Sequence, residues 1–240
     1  MPIGAPSRRG RFVLELGPSS ARILPVPSSR AAAEVARWRA KDDVWIDHAT
    51  LIDSDAEWLR PVKRLTMWAV KHPPDFLGRL PTLEFLDIRG GTGANISRVG
   101  GCRDLRVLVV NQVRGMSDLG AIGQLANLEL LSLYGLPRVQ SLPSTARLGS
   151  LTRVELGSMK GLTSIAPVLA APGLQELQLV RMVNLNSDDV RAIREHPTLL
   201  RFGWFAEDVP VKIWKPVVDA ISKPAPQVLT PEKWLDQHPG

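Results

Sequence analysis

Side chains capable of chemistry are few in this 240-residue chain, and they are scattered. The histidines are His48, His72, His196 and His238, and none shows the HExxH or comparable spacing that sets two imidazoles around a metal ion. His72, in "KHPPDF", falls in a connection, and His196 ends a helical stretch before Pro197. The single cysteine, Cys102, rules out an intramolecular disulfide and any multi-cysteine metal site. Within "GGCRDL" it is expected to pack at the entrance to a strand, with a reactive thiol as the alternative. The stretch "RGGTGANISRVGG" (89–101) has the glycine density of a phosphate cradle. It lacks the Lys-Ser/Thr of a P-loop and the third glycine of the dinucleotide fingerprint, so it is read as a flexible connection. No catalytic constellation, cofactor or metal is expected, and the chain is not expected to be an enzyme.

Most of the sequence obeys one repeating rule. A pattern φ-x-x-φ-x-φ, with φ apolar, recurs seven times: Val62/Leu65/Met67, Leu83/Leu86/Ile88, Leu105/Leu108/Val110, Leu128/Leu131/Leu133, Leu151/Val154/Leu156, Leu174/Leu177/Leu179 and Leu199/Phe202/Trp204. The starts lie 21, 22, 23, 23, 23 and 25 residues apart. In a strand, side chains alternate between faces, so the fourth and sixth positions point the same way. One unit cannot bury that ridge alone; stacked units pair their strands into a parallel sheet and gain stability at each neighbouring interface. Val113/Met116/Leu119, Leu136/Val139/Leu142 and Met159/Leu162/Ile165 continue the pattern at the ninth, twelfth and fifteenth positions, lining the inside of the coil as the chain leaves the strand.

This spacing resembles the leucine-rich repeat, whose units have 20–29 residues and open L-x-x-L-x-L. Apolar residues replace the usual Asn or Cys at the ninth position, which is similar to irregular repeats of bacterial proteins and plant immune receptors. The expected fold is an α/β solenoid: a leucine-rich repeat horseshoe with a parallel concave sheet, a convex side of short helices, 3₁₀ turns and loops, and a cap at each end. The expected divisions are 1–58, a basic segment and cap; 59–206, the array; and 207–240, a C-terminal cap. "SDDVRAIREHP" (187–197) reads as a helix capped by Ser187, whereas "IAPVLAAPG" and "LPSTARLG" read as 3₁₀ turns or loops. "RFVLEL" suggests a strand, and "SSRAAAEVARWRA" and "VKIWKPVVDAI" suggest helices of the caps; Trp38, Trp45, Trp58 and Trp68 precede or open the array, and Trp204, Trp214 and Trp234 close or follow it.

The resemblance implies that a protein partner binds the concave face, through the non-repeat residues of each strand. The candidate contact residues are Trp68, Phe85, Asp87, Arg89, Val107, Val109, Asn111, Leu130, Tyr134, Arg153, Glu155, Gln178, Arg181 and Phe205. Phe85, Val107, Val109 and Leu130 should form an exposed apolar patch around Tyr134, and such patches mark interaction sites. Arg153, Glu155, Glu176, Gln178 and Arg181 fit a polar rim. The competing expectation is that the N-terminal region folds over this face, or that the face packs against a second copy.

Residues 1–41 contain eight Arg or Lys against Glu15 and Glu34, which equals the whole net charge of +6. The segment reads as a compositional bias, with an organellar transit peptide as the alternative. The rest of the chain is charge-balanced, so nucleic acid is not the expected partner; binding of nucleic acid or an anionic surface through residues 1–41 is the alternative function. No apolar run approaches the roughly 20 residues that span a bilayer. The expected setting is cytoplasmic, as a monomer or weak dimer bound to a protein, with an inhibitor or immunity-type role as a narrower version.

Overall fold

The computed structural model describes residues 30–239. The chain forms β1 (Arg30–Ala31), α1 (Ala32–Val35), β2 (Arg37–Ala40), β3 (Asp43–Asp47), β4 (Ala49–Thr50), α2 (Asp55–Leu59), β5 (Arg64–Trp68), β6 (Phe85–Arg89), β7 (Val107–Asn111), β8 (Leu130–Tyr134), β9 (Arg153–Met159), α3 (Ala166–Leu169), β10 (Glu176–Val183), α4 (Ser187–Glu195), β11 (Arg201–Phe205), α5 (Val211–Ile221) and α6 (Pro231–Gln237). Nine of these strands make one sheet in the order β11-β10-β9-β8-β7-β6-β5-β3-β2. Every pair is parallel except β2–β3, and residues at equivalent repeat positions stand directly opposite, as Leu65, Leu86, Leu108 and Leu131 do. This is a leucine-rich repeat solenoid.

The fourth- and sixth-position side chains, with their followers at the ninth, twelfth and fifteenth, enter one continuous core. The sheet begins one coil earlier than the repeat count. β3 pairs in parallel with β5 and buries Val44 and Ile46 as the later repeats bury their fourth and sixth residues. Lys41 occupies its first position, which hid that unit from the apolar pattern.

Seven coils turn through the left-handed region at or near the end of the strand, at His48, Ala69, Gly90 with Gly91, Gln112, Gly135, Ser158 and Arg181, with φ between 48° and 68°. Non-glycine residues adopt this conformation at a cost. Here the neighbouring coil compensates: Ala69 N–H donates to the Arg89 carbonyl at 2.7 Å, and Gln112 N–H to that of Tyr134 at 2.8 Å.

The convex side is mixed, as expected. It carries 3₁₀ turns at Leu77–Arg79, Ser97–Gly101 and Gly120–Gln124, no regular element over 142–149, a single helical turn at α3, and the nine-residue α4. The cap of α4 is Asn186 rather than Ser187. Its side chain accepts from Asp189 N–H while Asp189 accepts from Asn186 N–H, a reciprocal pair that satisfies two otherwise orphaned donors. Asp189 also accepts from Ser164 and Ile165 of the preceding repeat, so the cap ties two coils together. At the N-terminal end, "RAAAEVARWRA" yields only the short α1 before β2, an edge strand that carries Trp38. "RFVLEL" lies outside the described residues.

At the other end, α5 packs against β11 and α4, with Pro216 inside it. The chain then does not stop as an end cap. Phe202 N–H on the outer edge of β11 donates to the Pro224 carbonyl at 2.9 Å. Pro226 next passes over Gly203, where an added Cβ would lie 2.7 Å from Pro226 Cδ. From there the segment runs back across the concave face to α6, which starts at Thr230, whose hydroxyl accepts from Lys233 N–H, and Pro231.

Candidate partner-binding face

The returning segment decides which concave residues are accessible. Trp234 and Leu235 of α6 form a second apolar cluster with Phe85, Val107, Val109 and Leu130, joined by the partly buried Leu229. The patch expected to be open is therefore closed by the chain itself, and all four sheet residues are buried. Polar contacts fasten the strap along its length. Arg201 donates to the Ala225 carbonyl, Arg153 to that of Gln227 and Arg106 to that of His238, while Arg64 pairs with Asp236.

The polar half of the expected site is also largely internal. Arg153, 1% exposed, donates to Glu155 at 2.8 Å, Glu176 at 2.7 Å and Gln178 at 3.1 Å. Burial pushes the Glu155 carboxyl above its ordinary range, and Arg153 draws it back. Asp87 is fully buried; one oxygen pairs with Arg89 at 2.6 Å, and the other has no hydrogen-bond partner among the described residues. Burial raises its carboxyl, Arg89 opposes that, and Glu232 of α6 adds to it.

What stays open is the row following the sixth position. Trp68 is 39% exposed and Phe205 37%, while Arg89, Asn111 and Tyr134 are partly exposed. Tyr134 leans across β9: a Cβ on Gly157 would stand 2.3 Å from its Cδ2, so glycine at 157 makes room for the ring. Arg181 sits in the left-handed turn after this row, 3.6 Å from Asp208, and is partly exposed. Two residues absent from the sequence-based set adjoin the row at its N-terminal end, Trp45 from the neighbouring fifth-position column, opposite Thr66, and Arg39 from β2. Trp45 of β3 lies 6.0 Å from Trp68, and the guanidinium carbons of Arg39 and Arg89 lie 5.6 and 5.5 Å from the Trp45 ring centre. The alternation in "DVWID", with Val44 and Ile46 buried and Trp45 on the other face, was the signal that could have placed it.

The remaining reactive types have structural duties. Cys102 is buried beside a 3₁₀ turn, and burial pushes its thiol up to about 12. That leaves it protonated at neutral pH rather than a thiolate nucleophile. His196 caps the end of α4, bonding the Leu169 carbonyl and accepting from Leu199 N–H. His238 stacks on Trp234 at 4.0 Å. Among the described residues, no group of three or more His, Cys, Asp or Glu is placed to hold a metal ion, and no helix is long and apolar enough to cross a membrane.

No protein-family model matches the sequence, and no curated protein matches it. Solved structures do. An internalin (inlF) of Listeria monocytogenes is similar with a TM-score of 0.55 at 16% identity, over 78% of this chain and 54% of that one, so the chain spans about half its length. Internalin C2 of the same organism is 16% identical over 68% of this chain and 80% of that chain, with a TM-score of 0.41. The first likeness is one of fold, and it agrees with the repeat and the sheet described above.

Proposed function

We propose that the protein is a non-catalytic recognition module that binds a protein partner along the uncovered row of its concave face. The observation that carries this reading is the contrast within one sheet. The central apolar patch is closed by the strap, yet an aromatic and polar ridge from Trp45 and Trp68 through Arg89, Asn111 and Tyr134 to Phe205 is left accessible. Tryptophan, tyrosine and arginine are the types that dominate binding energy at interfaces. The ridge crosses the carboxyl ends of eight strands, about 34 Å at the usual strand spacing, which is adequate for a standard protein interface.

The test is capture from native extract by the full chain at low and high salt, then titration of the captured protein against variants. Trp68→Ala/Tyr134→Ala should weaken binding at least tenfold with an unchanged melting temperature. Undiminished affinity refutes the ridge. Capture of nucleic acid, released by salt and lost on removing residues 1–41, refutes the protein-recognition reading in favour of the basic segment.

A further inference from the structure

The second repeat lacks core side chains that its successors have. Its ninth and twelfth positions are Gly91 and Ala94, where the following repeats place Val113 and Met116, Leu136 and Val139, and Met159 and Leu162. All six of those residues are buried, whereas Gly91 and Ala94 are exposed. The backbone shows how this arises. Gly90 and Gly91 are both left-handed, at φ 59° and 68°, so the chain swings outward for two residues instead of one. A Cβ on Gly91 would stand only 3.2 Å from Ala69 Cα, and the left-handed φ of 68° strains any side chain there. Ile88 records the consequence. Its counterparts Met67, Val110, Leu133, Leu156 and Leu179 are buried, but Ile88 is only partly so.

The gap is an open cavity of about 540 Å³. That volume lies within the usual range for small-molecule sites, which are apolar clefts with a few polar groups fixing orientation. Val70, Ile88, Val113 and Met116 supply apolar wall; Lys71, Arg89 and Arg98 line it with positive charge. Among the described residues, no acidic side chain contributes to the lining. Arg89 is committed to Asp87, and Arg98 donates to the His72 carbonyl, which fixes its guanidinium at the rim. Lys71 is exposed and forms no ion pair with another described residue. His72 also lines the cavity; burial holds its imidazole below the ordinary range, so it adds no charge at neutral pH.

We propose that this cavity binds a small amphiphilic anion, a carboxylate with a short apolar body, its tail replacing the missing ninth- and twelfth-position side chains and its charge facing Lys71 and Arg98. The site is separate from the aromatic ridge except for Arg89, so it stands or falls independently of partner binding. The probes are octanoate, 1-naphthoate and uncharged octanol, titrated into the full chain by calorimetry and followed by methyl NMR of Ile88 and Met116. At least one carboxylate should bind saturably, and octanol at least tenfold more weakly. Ala94→Met, which restores the residue type that the next repeat carries, should abolish binding without lowering the melting temperature. Lys71→Glu, on the exposed rim where folding is not at stake, should weaken carboxylate binding at least tenfold. Absence of saturable binding by both carboxylates, equal binding of octanol, or affinity unchanged in Lys71→Glu overturns the proposal.

Discussion

Trp234→Ala tests whether the strap is a separable layer over the array. Trp234 is 4% exposed, and its contacts are to the concave cluster, which shares no residue with the solenoid core. Truncating a buried tryptophan costs about 3–5 kcal/mol. Every 1.4 kcal/mol is about tenfold in an equilibrium constant, so strap opening should become roughly two to three and a half powers of ten more frequent. The array itself is held by coil-to-coil interfaces, which the substitution leaves intact. Hydrogen exchange should therefore accelerate at Phe202 N–H, which bonds Pro224, and at His238 N–H, which bonds Leu235, but not at Leu108 or Leu131 in the central strands. Phe85, Val107, Val109 and Leu130 would be uncovered, so the variant should bind an apolar fluorescent dye that wild type does not. A single cooperative unfolding at a much lower melting temperature, with uniform exchange and no dye binding, would refute the reasoning and make the strap integral to the array.

Three further outcomes follow from individual contacts. Arg153→Ala strips the nearly buried Glu155 of its guanidinium partner, a change that costs about 3–5 kcal/mol in denaturant unfolding; a loss below about 1 kcal/mol would contradict the buried pairing of Arg153 with Glu155. Asp87 has a carboxyl raised above its ordinary value, first by burial. A raised folded-state value contributes stability that is present below the unfolded value and lost as pH rises through the folded one. Asp87→Asn removes that loss, so its melting temperature should gain on wild type as pH rises from about 4, the unfolded value, toward neutrality; a constant gap would refute the assignment. Gly157→Ala should displace the ring of Tyr134, the only tyrosine, shifting its single set of aromatic NMR signals and weakening partner binding. Unmoved signals would mean that the ring does not lie across β9.

The spacing of leucines was enough to determine the coil, its strands and its core. Each φ-x-φ triplet places two apolar side chains on one face, and a 21–25-residue period leaves stacking as the means of burying them. The five-residue strands β5 to β8 centre on those triplets, and the row after the sixth position does lie along the sheet as inferred. The left-handed exits were only half legible. Gly90 and Gly135 signal them, but Ala69, Gln112, Ser158 and Arg181 adopt the same conformation, Ala69 and Gln112 with their N–H groups bonded to the next coil, and residue type carries no trace of that.

Accessibility was decided by tertiary structure alone. Phe85, Val107, Val109 and Leu130 were placed on the correct face, and their apolar character was read as an invitation to a partner. Their occupant is Trp234 with Leu235, more than a hundred residues away along the chain. The complementary sign was present in "LTPEKWLDQ", a capped helix with adjacent apolar anchors, yet nothing local says which surface it covers. Periodicity reports which side chains share a face because strand geometry repeats every two residues. Burial is a property of whatever distant segment arrives there, and that depends on the path taken by α5 and the close passage of Pro226 over Gly203.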